Sequence, residues 1–147
     1  MLFTPRQIGV ARTPYTDTSQ IPKGPGAKHE AEGAFEIDEE LEGGLQDIEG
    51  FSHLFVLWVF HHAKGFDLIA TPPGQSGGHG VFATRAPRRP NPIGLTVVEL
   101  LRRDRNRLHV RGVDMLDGTP ILDIKPYMSS IPFESLRRGW LAEPSSS

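Results

Sequence analysis

The feature that most constrains the fold of this chain is a series of short apolar segments separated by proline, glycine and Asp-Gly turn signals. Six strands are predicted, at residues 8–11, 34–37, 51–60, 93–101, 108–115 and 121–124. Val81 to Ala83 has strand-like content as well. Helical periodicity is brief and no strand–helix–strand spacing repeats. We therefore predict an all-β fold, a compact closed or partly open β-barrel with short helices. One domain is expected over residues 1–147, with a disordered tail from about 143.

The segment from Phe51 to Phe60 carries the strongest strand signal. Its residues H-L-F-V-L-W-V-F are apolar at odd and at even positions. Both faces of such a strand need cover, because alternate side chains point to opposite sides. The core supplies one cover, and a second copy of the chain is a candidate for the other. This segment motivates a homodimer hypothesis.

The local elements between the strands are predicted as follows. Asp38 is expected to cap a short helix that reaches about Gln46. Residues 13–29 and 65–80 are long loops, which in a compact domain are often functional. The strands 93–101 and 108–115 are joined by the charged turn R-R-D-R-N-R. Gly112 is expected to form a bulge that exchanges the faces of the second strand.

Charge and composition limit the possible partners. The net charge of −2 gives no global sign of nucleic-acid binding, so any polyanion site must be a local patch. The absence of cysteine excludes disulfides and thiolate metal sites, and the histidines lack ligand spacing, so no metal is expected. The N-terminal M-L-F-T-P-R lacks signal-peptide features, and the longest apolar run, 54–60, is too short to span a bilayer. A cytoplasmic protein without membrane contact is expected.

The segment from Gly80 to Leu95 is the first candidate binding element. It reads G-V-F-A-T-R-A-P-R-R-P-N-P-I-G-L. Its three prolines fix φ and hold the preceding residues extended, and Gly94 allows a close approach where the next strand begins. The result is a stiff ledge that presents Arg85, Arg88, Arg89 and Asn91. The alternative is a proline-rich surface turn whose arginines are simply solvated.

The turn D-G-T-P-I-L-D-I-K-P-Y, residues 117–127, is the second candidate element. Strand alternation places Asp123 and Lys125 on the face of Ile121. The two charged residues either pair with each other, or Asp123 faces a ligand. In a small barrel this turn and the proline ledge can meet at one rim, although the residues alone do not identify a ligand.

These two motifs together resemble the TsaA-like family, whose characterised members are the TrmO tRNA methyltransferases. The segment E-G-F-S-H-L-F-V-L-W-V-F-H-H also fits that family, and the likeness extends from Ile8 to Tyr127. The resemblance implies a compact β-barrel, often dimeric, that binds S-adenosylmethionine. The implied activity is N6-methylation of threonylcarbamoyladenosine at position 37 of threonine tRNA. Bacterial members carry an additional C-terminal domain, and this sequence ends soon after Trp140.

The resemblance also assigns residues to the site. It implies a cofactor site formed by Pro22, Lys23, Gly24, His61, His62, Arg85, Leu95, Asp117, Gly118, Thr119 and Pro120. Gly24 replaces a larger polar residue of the family pattern, and His62 replaces a glutamine. Asp117 and Asp123 are the candidate proton acceptors for the catalytic step. The anticodon loop of tRNA would contact Arg88, Arg89, Asn91, Lys125 and Tyr127, with Tyr127 or Arg89 as the platform for a flipped adenosine.

Two further functions stay open at this level. A non-catalytic module that binds S-adenosylmethionine or RNA would retain the pocket without turnover. A plain dimerising β-domain would bind no cofactor.

Overall fold

The chain forms a closed six-stranded antiparallel barrel. A computed structural model describes residues 1–24 and 26–142. Neighbouring strands around the barrel are β1, β2, β7, β6, β3 and β8, and β8 pairs again with β1. The barrel strands are β1 (Gly9–Arg12), β2 (Glu32–Ile37), β3 (His53–Val59), β6 (Ile93–Asp104), β7 (Arg107–Arg111) and β8 (Pro120–Pro126), and a separate two-stranded sheet joins β4 (Ile69–Ala70) to β5 (His79–Gly80). The prediction of an all-β barrel is confirmed.

Alternate positions of β1, β3, β7 and the first half of β6 point into the barrel core. In β3, Leu54, Val56 and Trp58 are buried, whereas the residues between them are partly exposed. Phe35 and Leu108 are fully buried from the opposite wall. This alternation is what one-sided burial of an antiparallel strand produces.

All helices among the described residues are short 3₁₀ turns, at Thr18–Gln20, Glu39–Leu45, Ile48–Gly50, Val81–Ala83, Phe133–Ser135 and Gly139–Ala142. The expected cap is absent, because the Asp38 side chain makes no capping hydrogen bond. The segment Val81–Ala83, expected to be extended, is one of these turns. The predicted loop 65–80 contains β4 and β5. The predicted tail from about 143 lies outside the described residues.

The hairpin of β6 and β7 is longer than predicted, because β6 continues to Asp104 and leaves only a two-residue turn. Gly112 has the expected unusual backbone, with φ of +105°, but it follows the end of β7 instead of forming a bulge within it. Beyond it, Val113 and Met115 are fully buried. The segment 112–116 therefore leaves the strand and closes one end of the barrel core.

The face assigned to Asp123 and Lys125 is wrong. Register with β3 slips between Leu57, opposite Asp123, and Trp58, opposite Ile121, so Leu122 is an extra residue in β8. The slip reverses the alternation: Ile121 is buried, whereas Lys125 is exposed. The two charged side chains point outward and pair, with Lys125 Nζ 3.0 Å from Asp123 Oδ2. Their mutual pairing, one of the two alternatives, is confirmed.

The outside of the barrel has two contrasting walls. On β1, β2 and β7 the side chains form ion pairs, such as Arg12 with Glu36 at 2.9 Å. Beyond His53 in β3, and over the first half of β6, the outward side chains are apolar: Phe55, Leu57, Val59, Ile93, Leu95 and Val97. We call this second surface the apolar wall. The last three of its residues are 41–43% exposed.

Gly94 performs the role that the sequence predicts. It lies opposite Trp58 in the β3–β6 ladder, and a Cβ at this position would overlap the indole ring. Trp58 is buried and its Nε1 donates a hydrogen bond to Thr96 Oγ1 at 3.0 Å. The missing side chain therefore makes room for a ring that fills the barrel.

The substitution Gly94→Ala should lower the free energy of unfolding by about 1–3 kcal/mol, because an added methyl group must displace a packed indole. Chemical denaturation measures this as a lower midpoint with an unchanged slope. Gly43→Ala is the matched control, since nothing lies within 4 Å of a Cβ there. Equal midpoints for the two variants would contradict this account of Gly94.

Candidate functional site

The three connections 13–31, 60–92 and 112–119 emerge at one end of the barrel. At this end β1, β3 and β7 finish and β2, β6 and β8 begin, because every strand pair is antiparallel. We call it the upper rim. The proline ledge leads directly into β6, and the turn at Asp117 leads into β8, with β3 between them. The two motifs singled out in the sequence therefore meet at the same rim.

Residues 22–24 belong to the first of these connections and reach the second. Gly24 has φ of +90°, and a Cβ built on it would lie 3.7 Å from the carbonyl oxygen of Pro73. Glycine tolerates this backbone conformation better than any residue with a side chain. The departure from the family pattern at Gly24 thus accompanies a close approach of two loops.

The turn at Asp117 is tied to the end of β1. The Asp117 carboxylate accepts a hydrogen bond from the backbone N–H of Thr13 at 3.1 Å, and Arg12 lies 3.8 Å away. The backbone N–H of Gly118 donates to the carbonyl of Ala11 at 2.8 Å, and Gly118 has φ of +84°. Thr119 is fully buried. These contacts fix the turn, so the Asp117 carboxylate already has partners.

His61 and His62 follow β3 at the upper rim, and their rings lie 4.1 Å apart. Partial burial lowers the pKa of His61, and the neighbouring His62 charge lowers it further. His61 is therefore predominantly neutral near pH 7, where a neutral imidazole offers one donor and one acceptor.

The arginines of the ledge differ in their contacts. Arg88 pairs with Asp67 at 3.1 Å and also donates to the Lys64 carbonyl. Arg89 donates to the carbonyls of Thr84 and Ala86, at 2.9 and 3.2 Å. Arg85 is exposed and, among the described residues, makes no hydrogen bond or ion pair. Two of the three guanidinium groups therefore hold the ledge together, and Arg85 is the one left for a ligand.

Asp114 is a site residue that the sequence reasoning missed. Its carboxylate accepts a hydrogen bond from Thr96 Oγ1 at 2.5 Å, and burial raises its pKa. The Thr96 hydrogen bond and the charges of His29 and Arg85 lower that pKa, but burial has the larger effect. The Nδ1 atom of His29 is buried and has no hydrogen-bond partner in the part of the chain described. A lone acid between the apolar Val113 and Met115 was the available sequence signal.

Several predicted residues do not lie at the upper rim. Tyr127 follows the far end of β8 and packs on Phe55, with ring centroids 5.1 Å apart. Seven residues of β8 separate it from the rim, which is about 20 Å in an extended strand. Asp123 and Lys125 lie along β8, and Leu95 lies on the apolar wall. Within one chain, Tyr127 cannot serve as a stacking platform beside the cofactor loops.

Over residues 1–24 and 26–142, no group of three or more histidine and acidic side chains is arranged to hold a metal ion. No helix in the same residues is long and apolar enough to cross a membrane.

Comparison with known proteins identifies the family. The profile described as "tRNA-methyltransferase O N-terminal domain" matches residues 10–132. The chain belongs to this family. The crystal structure titled "Crystal structure of TrmO" superimposes with a TM-score of 0.77 at 37% identity, over 95% of this chain and 64% of that one. The family expected from the resemblance is confirmed, and so is its barrel fold.

The relatives carry two kinds of name. A protein of Pyrococcus abyssi named "probable S-adenosyl-L-methionine-binding protein" is 47% identical over 92% of this chain and 74% of its own length. A protein of Archaeoglobus fulgidus with the same name is 50% identical over 97% of this chain, which spans 39% of that relative. The Escherichia coli "tRNA (adenine(37)-N6)-methyltransferase" is 39% identical over 86% of this chain, which spans 58% of the enzyme.

The substitution Asp114→Asn should stabilise the protein increasingly as the pH rises. A raised pKa means that Asp114 binds its proton more tightly in the folded protein than in the unfolded chain, where the ordinary value of 3.8 applies. Wild-type stability therefore falls as the pH rises from that value through the folded pKa. Asparagine still accepts the Thr96 hydrogen bond and has no charge to bury. Urea denaturation at a series of pH values from about 3.8 to 8 should give a variant-minus-wild-type difference that grows and then levels off. A difference independent of pH would contradict the buried carboxylate.

In contrast to Asp114→Asn, the substitution Thr96→Val should lower the free energy of unfolding by about 1–3 kcal/mol. It leaves the Trp58 indole N–H and the Asp114 carboxylate without their shared partner.

Proposed function

We propose that this protein is an S-adenosylmethionine-dependent tRNA (adenine-N6)-methyltransferase that acts on threonylcarbamoyladenosine at position 37 of threonine tRNA. One observation carries the proposal: the segments 22–24, 61–62, 85 and 117–120, which the resemblance assigns to the cofactor, emerge at one rim of the barrel. These segments are distant in sequence but share the rim because β6, β3, β8 and β1 are neighbours around the barrel.

The residues at the upper rim fit the chemistry of the cofactor. S-adenosylmethionine offers a carboxylate, and the Arg85 guanidinium is exposed and unpaired among the described residues. The cofactor also offers ribose hydroxyls and an adenine ring, which the neutral His61 ring and loop backbone groups can bind by hydrogen bonds. The unpartnered His29 Nδ1 fits a rim that a ligand completes, because buried polar atoms are normally satisfied.

The proposed reaction asks little acid–base chemistry of the protein. When bound, the cofactor supplies a methyl group on a sulfonium, which is transferred by in-line displacement. The chain's own task is to hold donor and acceptor aligned in a site that excludes water. Asp117 and Asp123, the candidate proton acceptors, both have other partners: Thr13 N–H and Arg12 for the first, Ile124 N–H and Lys125 for the second. Their catalytic role stays a prediction.

The charge around the ledge supports tRNA as the substrate. Residues 61–92 contain four basic side chains and one acidic, while the whole chain has a net charge of −2. The four are Lys64, Arg85, Arg88 and Arg89. Such a local cluster neutralises phosphates without reading sequence. We propose that the anticodon loop docks here and that the enzyme works in the cytoplasm.

We further propose a homodimer built on the apolar wall. Its outward side chains lie directly opposite one another on β3 and β6, and three of them are 41–43% exposed. Leu95, which the resemblance assigns to the cofactor, is part of this wall. In the proposed dimer the wall of one subunit would lie next to the cofactor site of its partner. The partner would also present its Lys125 and Tyr127, which lie away from the upper rim in one chain. A shared pocket reconciles these assignments.

A labelled-methyl transfer assay on total tRNA, with cofactor binding measured by calorimetry, tests the function. Transfer to threonine tRNA is the expected result. Cofactor binding with no transfer to any tRNA would favour the second candidate, a non-catalytic binding module. The archaeal relatives, whose names mention binding alone, support that candidate. The absence of cofactor binding would leave the dimerising domain.

The substitution Arg85→Ala should reduce S-adenosylmethionine affinity by at least about tenfold, since a charge-assisted hydrogen bond contributes about 1.5–3 kcal/mol. Arg88→Ala should weaken tRNA binding more than cofactor binding. Arg6→Ala is the matched control, because Arg6 pairs with Glu40 at the other end of the barrel. An unchanged calorimetric titration for Arg85→Ala would remove Arg85 from the cofactor site.

The substitution Val97→Asp should convert the dimer to a monomer, because it places a charge on the apolar wall directly opposite Phe55. Sedimentation velocity over a range of concentrations measures the change. His109→Asp introduces the same side chain on the ion-paired wall and should leave the dimer intact. A wild-type protein that sediments as a monomer at every concentration would exclude the dimer.

A further inference from the structure

Two exposed phenylalanines lie in the connection 60–92, and one of them, Phe82, belongs to the segment that forms the proline ledge. Phe82 is 77% exposed and Phe66 is 52% exposed. Exposed rings on a monomer are ordinary when scattered, but these two lie on adjoining segments. The hydrogen bond from Val81 N–H to the Leu68 carbonyl, 2.8 Å long, continues the antiparallel pairing of β4 with β5. This pairing brings the chain around Phe66 next to the chain around Phe82.

The surface that carries these rings is held in place by several contacts. Phe82 is in the middle of the 3₁₀ turn Val81–Ala83, and Val81 anchors that turn because it is fully buried. The Trp140 ring stacks on His79 at 4.6 Å, and its Nε1 donates to the Ala83 carbonyl at 2.7 Å. Aromatic side chains on a fixed backbone have few rotatable bonds and lose little conformational entropy on binding, which favours their use in recognition.

The charges around the two rings select the kind of partner. Arg88 holds the chain near Phe66 through its contacts with Asp67 and the Lys64 carbonyl. Lys64 precedes Phe66 by two residues; it is exposed, and its ammonium group is unpaired among the described residues. Aromatic rings interleaved with cations match single-stranded nucleic acid, whose bases stack while its phosphates pair with the cations. A hydrophobic protein partner would not require the excess of positive charge.

We propose that Phe82, assisted by Phe66, stacks on unpaired bases of the RNA loop that reaches the upper rim. The inference rests on the proposed function, because it names the surface that receives the same substrate. It also gives each chain a stacking platform at its own rim, where Tyr127 of that chain is absent. Stacking accepts any base, so this surface supplies affinity and orientation, and sequence is read elsewhere.

The test uses the full chain and a short RNA hairpin whose loop carries the fluorescent base 2-aminopurine. Stacking on an aromatic ring quenches this base, so wild-type protein should quench it on binding. Phe82→Ala should bind the hairpin about 5- to 150-fold more weakly and lose the quench. Phe82→Trp should restore both, whereas Phe82→Leu, apolar but not aromatic, should restore neither. Phe3→Ala is the control, since Phe3 is 74% exposed outside the rim connections.

Two controls and three possible outcomes separate this inference from the function on which it rests. Cofactor calorimetry should be unchanged by Phe82→Ala, and circular dichroism should show an intact fold. RNA quenching without methyl transfer in the wild type would remove the enzymatic function and leave the stacking surface standing. Methyl transfer with equal hairpin affinity for Phe82→Leu and wild type would overturn the stacking surface and leave the enzyme. A change of oligomeric state in Phe82→Ala would also overturn it, by identifying the ring as a subunit contact.

Discussion

The arrangement of this molecule depends on the pairing of its first barrel strand with its last. β1 and β8 share only two registered pairs, Gly9 with Ile121 and Val10 with Pro120. Backbone hydrogen bonds from Ile8 to Ile121 and from Ala11 to Thr119 extend this seam at both ends. Gly9 is required there, because a side chain would collide with the carbonyl of Glu36 on β2. Without the seam, the turn at Asp117 would lose its fixed position relative to the connection that follows β1.

The closed barrel also has three surfaces of different character: an ion-paired wall, an apolar wall and the upper rim. One wall is neutralised by ion pairs between neighbouring strands, and the opposite wall is apolar. The upper rim collects three long connections, with their glycines, histidines and arginines. A carboxylate with a raised pKa, Asp114, lies where the segment 112–116 covers the core beneath these connections. Burial of that charge costs stability near neutral pH, a cost more often found at functional sites than in structural cores.

Strand patterns and motif order predicted much of this from the sequence. Short apolar segments between turn signals gave the barrel, and Gly94 was correctly expected to allow close approach. The meeting of the two motifs at one rim was predicted only as a possibility, because the sequence does not show that the strands they precede flank a common neighbour. The bulge at Leu122 was not, since one extra residue inverts alternation and depends on the pairing partner. The burial of Asp114 and the distance of Tyr127 from the rim were not predicted for a similar reason, because both depend on how the strands are paired in the folded barrel. The 3₁₀ turns replaced the expected helix where Gly43 and Gly44 weaken helical propensity.

The shortness of the seam has a consequence for how the protein avoids association with itself. A barrel has no free strand edges only while its seam is shut, and a seam of two registered pairs is the easiest place for it to open. Opening would bare the edges of β1 and β8 to an incoming strand. Pro120 blunts the second edge, because it has no backbone N–H to offer at the point where β8 begins. Pro120, which follows Gly118 and Thr119 in the turn, therefore also protects the protein from edge-to-edge aggregation.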